Sequence, residues 1–224
     1  MTRISISSVT PGKRMYTAPA ARPGSRLVTI LWWLGLVAFV ASTFYPTDLA
    51  SYASRSGISS APRVARFMED YGRYINPVLQ GTLPIVLGDR QGMIELAKIA
   101  VTATLATHLL KHSLNDVRVN GTRLGERPPL PAGQIAMHWE DTNFNMPSGH
   151  SSLASSGAYF VSRRYGWKLA LLVVPIMLLT MFARVSLDKH TVSAVISGAL
   201  LGILVTALMT TRWRGRRQVE LQLQ

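Results

Sequence analysis

Two histidines stand at the edges of apolar segments. His150 closes the stretch Pro147-Ser148-Gly149-His150 just before one apolar run, and His190 ends "ARVSLDKH" just before another. Near them in the chain are five fixed cations, Lys111, Arg118, Arg123, Arg127 and Arg184, and few acids, none paired at a metal-ligand spacing. Guanidinium and ammonium groups bind phosphate oxygens and neutralise charge that develops in a transition state. A Ser-Gly turn that opens a helix presents backbone N–H groups to an anion. Of two imidazoles, one can attack phosphorus and the other can protonate the leaving oxygen. The residue types therefore suit phosphoester hydrolysis without metal or cofactor, and two imidazoles that titrate near neutrality predict a bell-shaped pH profile.

The remaining composition narrows the setting. The chain has 224 residues, 48% of them hydrophobic and 16% charged, with a mean hydropathy of +0.20. The charged share lies below the roughly 25% of a soluble domain. There are no cysteines, which excludes disulfides and thiol chemistry. The net charge of +13 fits nucleic acid, anionic lipid or an anionic substrate. No nucleic-acid motif is present, and the basic residues cluster beside apolar runs, so a membrane and an anionic lipid are the expected partners. His108 and His112, at i and i+4, have the spacing of a metal pair but no third ligand; they read as a polar pair lining a helix bundle.

Six apolar segments could carry these groups: Leu27–Tyr45, Tyr74–Gly88, Met93–Leu110, Ser151–Val161, Trp167–Ala183 and Thr191–Thr210. The first is a 19-residue uncharged run behind a long basic lead, which favours an uncleaved anchor over a signal peptide. The fold expected is all-α, a polytopic membrane protein with six transmembrane helices. Residues 1–26 read as a disordered basic tail, 27–211 as the membrane domain and 212–224 as a second basic tail. Residues 46–73 read as polar connection. Gly198 and Gly202 form a small-xxx-small face for close packing. Trp32, Trp33 and Trp167 read as interfacial anchors. The stretch 132–144 reads as an interfacial flap.

With both termini on the cytoplasmic side, inner segments hold 13 Lys/Arg and outer segments 10. The positive-inside bias is mild, but several outer cations belong to the proposed site. This topology puts Lys111–Pro128, Pro147–His150 and Arg184–His190 on one outer face. Ionisable residues at membrane depth are expensive, and a cluster of them marks a site.

"PSGH" followed by Arg-x5-His resembles the type-2 phosphatidic acid phosphatase superfamily. That family has a six-helix membrane core and a signature of Lys…Arg-Pro, Pro-Ser-Gly-His and Arg-x5-His-x3-Asp. The longer strings "RLGERP", "NFNMPSGHSS" and "LTMFARVSLDKHT" look like its bacterial lipid A 1-phosphatase branch. The resemblance implies an inner-membrane lipid phosphatase working at the periplasmic face through a phosphohistidine. The substrate implied is the 1-phosphate of lipid A. Undecaprenyl diphosphate, phosphatidylglycerophosphate or phosphatidic acid, lipid-to-lipid phosphotransfer and a non-catalytic lipid binder are the alternatives. Position by position, His190 would be the nucleophile and His150 the general acid. Lys111, Arg127, Arg184, Ser148 and Gly149 would hold phosphate, with Asp188, Arg118 and Arg123 in support.

Two departures stand out. Arg118 has the family's six-residue spacing from Lys111 but is followed by Val119, whereas Arg127 precedes Pro128 with fifteen residues between it and Lys111. Arg127 is preferred and Arg118 is the alternative. The acid expected after His190 is replaced by Ala194. Asp188 would reach the imidazole only if 185–190 is a loop; otherwise a backbone carbonyl or water would serve.

Overall fold

A computed structural model describes residues 24–45, 62–129 and 142–213. The expected tails lie almost wholly outside the described residues, as does most of the 132–144 flap. Seven α-helices are formed among the described residues. They are α1 (Gly24–Phe44), α2 (Arg63–Asp70), α3 (Ile75–Val86), α4 (Arg90–Leu114), α5 (Gly149–Tyr165), α6 (Ala170–Ser186) and α7 (Val192–Met209). A small hairpin, β1 (Arg118–Val119) and β2 (Thr122–Arg123), pairs antiparallel between α4 and α5.

Among the described residues, four stretches are long and apolar enough to cross a membrane: Leu27–Phe44, Arg90–Leu114, Trp167–Ser186 and Val192–Met209. The other two expected spans are helical but fall short. α3 has 12 residues, about 18 Å at the helical rise, against a hydrocarbon core of about 30 Å. α5 has 17 residues and is rich in serine, alanine and glycine rather than bulky apolar groups.

The polarity of the bundle is that of a lipid-facing protein. Large apolar side chains such as Leu31, Val37, Leu105, Leu109 and Leu171 lie on its outside. The centre is α5, whose Ser151, Ser152, Ser155 and Ser156 are buried. Small residues let backbones approach and leave their hydroxyls to hydrogen-bond between helices. Ser155 Oγ donates to the Ala199 carbonyl at 2.8 Å, and Ser156 and Thr206 hydroxyls pair at 2.8 Å. A Cβ at Gly198 would collide with the Ser148 carbonyl and one at Gly202 with that of Ser152, so the expected small-residue face is where α7 presses on α5. α3 is held to the same centre by Asn76, whose Nδ2 donates to the carbonyls of Ala154 and Val173 at 3.0 and 2.9 Å.

Two expectations are corrected. Residues 63–73 are not plain connection: they form α2 and a short 3-10 turn, because Ala65 and Met68, three apart, bury one face against α6. His108 and His112 do not line the bundle; both are exposed, and His112 packs edge-on against Phe144 with centroids 4.8 Å apart. Trp32 is tied to α7, its indole N–H donating to the Leu204 carbonyl at 3.5 Å, while Trp33 and Trp167 are exposed.

Arg164, in the last turn of α5, is a buried cation. It is 4% exposed and its guanidinium is saturated by Asp89, Glu95 and Thr211. Asp89 caps α4 through the Gly92 N–H at 3.0 Å and accepts from Tyr165 at 3.0 Å. The cluster joins the start of α4 to the ends of α5 and α7, at the end of the bundle opposite the two histidines.

Candidate active site

Four helix ends meet at the other pole. Lys111 is in the last turn of α4, Arg184 in the last turn of α6, Ser148 caps α5, and His190 precedes Thr191, which caps α7. The hairpin and residues 142–148 cross these ends and are strapped to them. Asn145 N–H donates to the Gly125 carbonyl at 2.9 Å, and Ser148 N–H donates to the Ala194 carbonyl at 2.9 Å. Lys111 Nζ donates to the Phe144 carbonyl at 2.7 Å, and Phe144 adopts φ 57.

His190 is 2% exposed. Its Nδ1 lies 2.9 Å from the Asn145 carbonyl and 3.3 Å from Asn145 Oδ1. A carbonyl can only accept, so Nδ1 carries the hydrogen and Nε2 keeps its lone pair. The amide orientation is fixed independently, because Thr191 N–H donates to Oδ1 at 3.0 Å and Asn145 Nδ2 donates to Thr191 Oγ1 at 2.9 Å. Burial, then the charges of Arg184, Lys111 and Arg127, push His190 well below the ordinary imidazole value, against the opposing hydrogen bond that Nδ1–H donates to the Asn145 carbonyl. The ring is a neutral base at physiological pH, the state a nucleophile needs.

His150 is half-buried in the first turn of α5. Burial, then the cations Arg184, Arg73 and Lys111, lower it to about 4, with Glu69 opposing. Two of these neighbours, Glu69 and Arg73, come from α2 and the turn after it and were not anticipated. Glu69 Oε1 accepts from Arg73 Nη1 at 2.9 Å and from Arg184 Nη1. Glu69 Oε2, Arg184 Nε and Arg73 Nε are buried without a hydrogen-bond partner. The sequence carries a faint trace of this pair: Glu69 and Arg73 are spaced i and i+4, but in a segment whose helical period is only two buried residues long.

The predicted residues do not all share one role. Lys111, Arg127 and Arg184 all act electrostatically on His190. Gly149 lies beside Lys111, its Cβ direction 3.9 Å from Lys111 Cε. Ser148 is fully buried, and its Oγ accepts from Ser151 Oγ at 3.0 Å and caps the Ser151 N–H, so its hydroxyl serves the helix start. Arg118 is exposed on β1 and donates to the Gly121 carbonyl. Arg123 straps the loop, with Nη2 2.6 Å from Asn143 Oδ1 and Nη1 3.4 Å from Asp116. Asp188 lies in the turn after α6 with φ 52, while the His190 Nδ1–H is directed to Asn145.

Fold and site together define a helical membrane protein with cations gathered around a buried neutral histidine. The PAP2 superfamily matches residues 93–218, and the chain belongs to that family. Two Helicobacter pylori proteins named lipid A 1-phosphatase are 39% identical over 152 residues, 68% of this chain and 74% of each relative. A Helicobacter pylori lipid A 4'-phosphatase is 32% identical over 157 residues, again 68% of this chain and 74% of the relative. A transmembrane PAP2-type phosphatidylglycerolphosphate phosphatase from Bacillus subtilis shares the fold, with a TM-score of 0.54 at 17% identity, covering 88% of this chain and 97% of that one.

Proposed function

We propose that this protein is a metal-independent lipid phosphatase that removes the 1-phosphate of lipid A. The observation that carries the chemistry is His190, held neutral with Nδ1–H on Asn145 and ringed by Lys111, Arg127 and Arg184. The substrate rests on the 39% identity to lipid A 1-phosphatases.

In the first step Nε2 of His190 forms a bond to phosphorus as the bond from phosphorus to the lipid oxygen breaks. The electron pair leaves on that oxygen, which takes a proton from His150. Lys111, Arg127 and Arg184 hold the phosphoryl oxygens, aided by the first N–H groups of α5 at Gly149 and His150. In the second step water attacks phosphorus, its proton passes to His150, and the electron pair of the P–N bond returns to Nε2. Burial strengthens each of these charge interactions.

The short helices α3 and α5 complete a six-helix core with the four long ones, packed in the middle and continued at their ends by α2 and the hairpin. The termini are cytoplasmic and the site opens to the periplasm of the inner membrane. A second reading, the 4'-phosphate, has the 32% identical relative in its favour.

Mass spectrometry of lipid A from cells with and without the protein tests the substrate. Loss of one phosphate, mapped to position 1, is expected; loss at position 4' supports the second reading, and unchanged lipid A overturns both. Purified protein should release phosphate equally with and without a chelator, and a His190→Ala variant that keeps full activity refutes the mechanism.

A further inference from the structure

We propose that Asn145 is the positioning residue of the nucleophile, replacing with neutral groups the carboxylate that the family signature puts where this chain has Ala194. The inference rests on the reading of His190 as nucleophile.

Asn145 is 3% exposed and meets two separate segments, the chain just after the hairpin and the connection from α6 to α7. Its N–H donates to Gly125 beyond the hairpin, fixing its height over the bundle. Its carbonyl and Oδ1 both face His190 Nδ1, at 2.9 and 3.3 Å. Its side-chain amide clasps Thr191 through both ends, by the Thr191 N–H and by Thr191 Oγ1. Thr191 Oγ1 in turn caps α7 through the Ala194 N–H at 3.3 Å. The amide thereby holds the residue after the nucleophile while the carbonyl holds the nucleophile's ring. A carboxylate at 194 would act from the following turn of α7; here the restraint comes from the strap before α5.

The substitution of neutral for charged has a chemical consequence. A carboxylate stabilises the imidazolium and raises the basicity of Nε2. An amide and a carbonyl do so less. The ring of His190 is then a weaker nucleophile but a better leaving group when water cleaves the P–N bond. Nδ1–H stays with Asn145 through both steps.

The test uses full-length protein in detergent with its lipid substrate, comparing wild type, Asn145→Ala, Asn145→Asp and His190→Ala. Asn145→Ala should lower kcat by about 10–100-fold, the usual cost of losing such an orienting partner, with KM changed less than about twofold. Asn145→Asp should fold, because a carboxylate has the same shape and the Thr191 hydroxyl can donate to it. It should keep activity and move the acid limb of the kcat/KM profile up by about one pH unit or more. It should also raise the steady-state fraction of phosphohistidine trapped by acid-free quench. A merely structural asparagine would not shift that limb. An Asn145→Asp profile superimposable on wild type, or an Asn145→Ala variant with unchanged kcat, overturns the proposal. Activity retained in His190→Ala would instead remove the functional reading beneath it.

Discussion

At the residue scale, the proposed mechanism gives the two histidines different work, and their environments differ accordingly. His150 lies at about 4, whereas a phosphomonoester dianion takes its first proton near 6. The reactive pair is protonated His150 with dianionic phosphate, which has the same proton count as neutral His150 with monoanionic phosphate. Above about 6 that pair loses a proton, so kcat/KM should fall about tenfold per pH unit. Between about 6 and 4 the pair holds that one proton and the rate should level; below about 4 His150 takes a further proton and the rate should fall. The neutral-pH bell expected from unperturbed imidazoles thus moves to the acid side, and a profile that stays flat from pH 6 to 9 contradicts the assignment. Replacing His150 by glutamine should slow release of an alkyl phosphate by about 10²–10⁴-fold, the usual share of general acid catalysis. The loss should shrink sharply for a nitrophenyl ester, whose oxygen leaves without a proton. An equal loss for both substrates would argue that His150 only binds.

At the scale of elements, α2 has an unexpected part. It docks on α6 through Ala65 and Met68 and thereby delivers Glu69 to Arg184. Removing the carboxylate leaves a buried guanidinium without its counter-charge, which is the costly way to break an ion pair. Glu69→Ala should therefore lower kcat/KM by about tenfold or more, with Glu69→Gln milder; phosphate release by both variants measures it, and unchanged rates detach Glu69 from the site. The α5–α7 contact is more demanding. Gly202→Leu should abolish the folded protein, because its Cβ has no room beside the Ser152 carbonyl; a normal melting transition in detergent would show that the helices can separate. At the opposite pole Arg164→Ala leaves Asp89 and Glu95 buried without their cation. A loss of about 3–5 kcal/mol is expected, read as a lowered Tm with kcat little changed in the protein that remains folded.

For the whole molecule, charged groups gather at two opposite poles of the bundle. The first gathers Lys111, Arg127, Arg184 and both histidines; the second gathers Arg164, Asp89 and Glu95. A site for a lipid phosphate should face the leaflet that presents the lipid. The absence of native cysteine makes that orientation measurable. Glu126→Cys and Arg212→Cys place single thiols at exposed positions near the two poles. A membrane-impermeant maleimide should label the first in cells with a permeabilised outer membrane, and the second only after the inner membrane is opened. The reverse pattern would turn the protein over in the membrane and place its site in the cytoplasm.

Much of this was legible in the chain, because the informative residues are local in sequence. "PSGH" and "ARVSLDKH" announce two histidines at helix ends beside fixed cations, and the apolar runs around α1, α6 and α7 are long enough to cross a membrane on composition alone. Gly198 and Gly202 announce a close helix contact by spacing. What the sequence could not decide depends on contacts between distant segments. Glu69 and Arg184 are 115 residues apart, Asp89 and Arg164 75, and Asn145 and His190 45. Whether Arg164 is a solvated flank or a buried clamp, whether Arg118 or Arg127 turns inward, and what holds His190 above Ala194 are questions of which groups share a desolvated space. Residue type fixes what a side chain can do; only packing removes the water that would otherwise make each of these partners interchangeable.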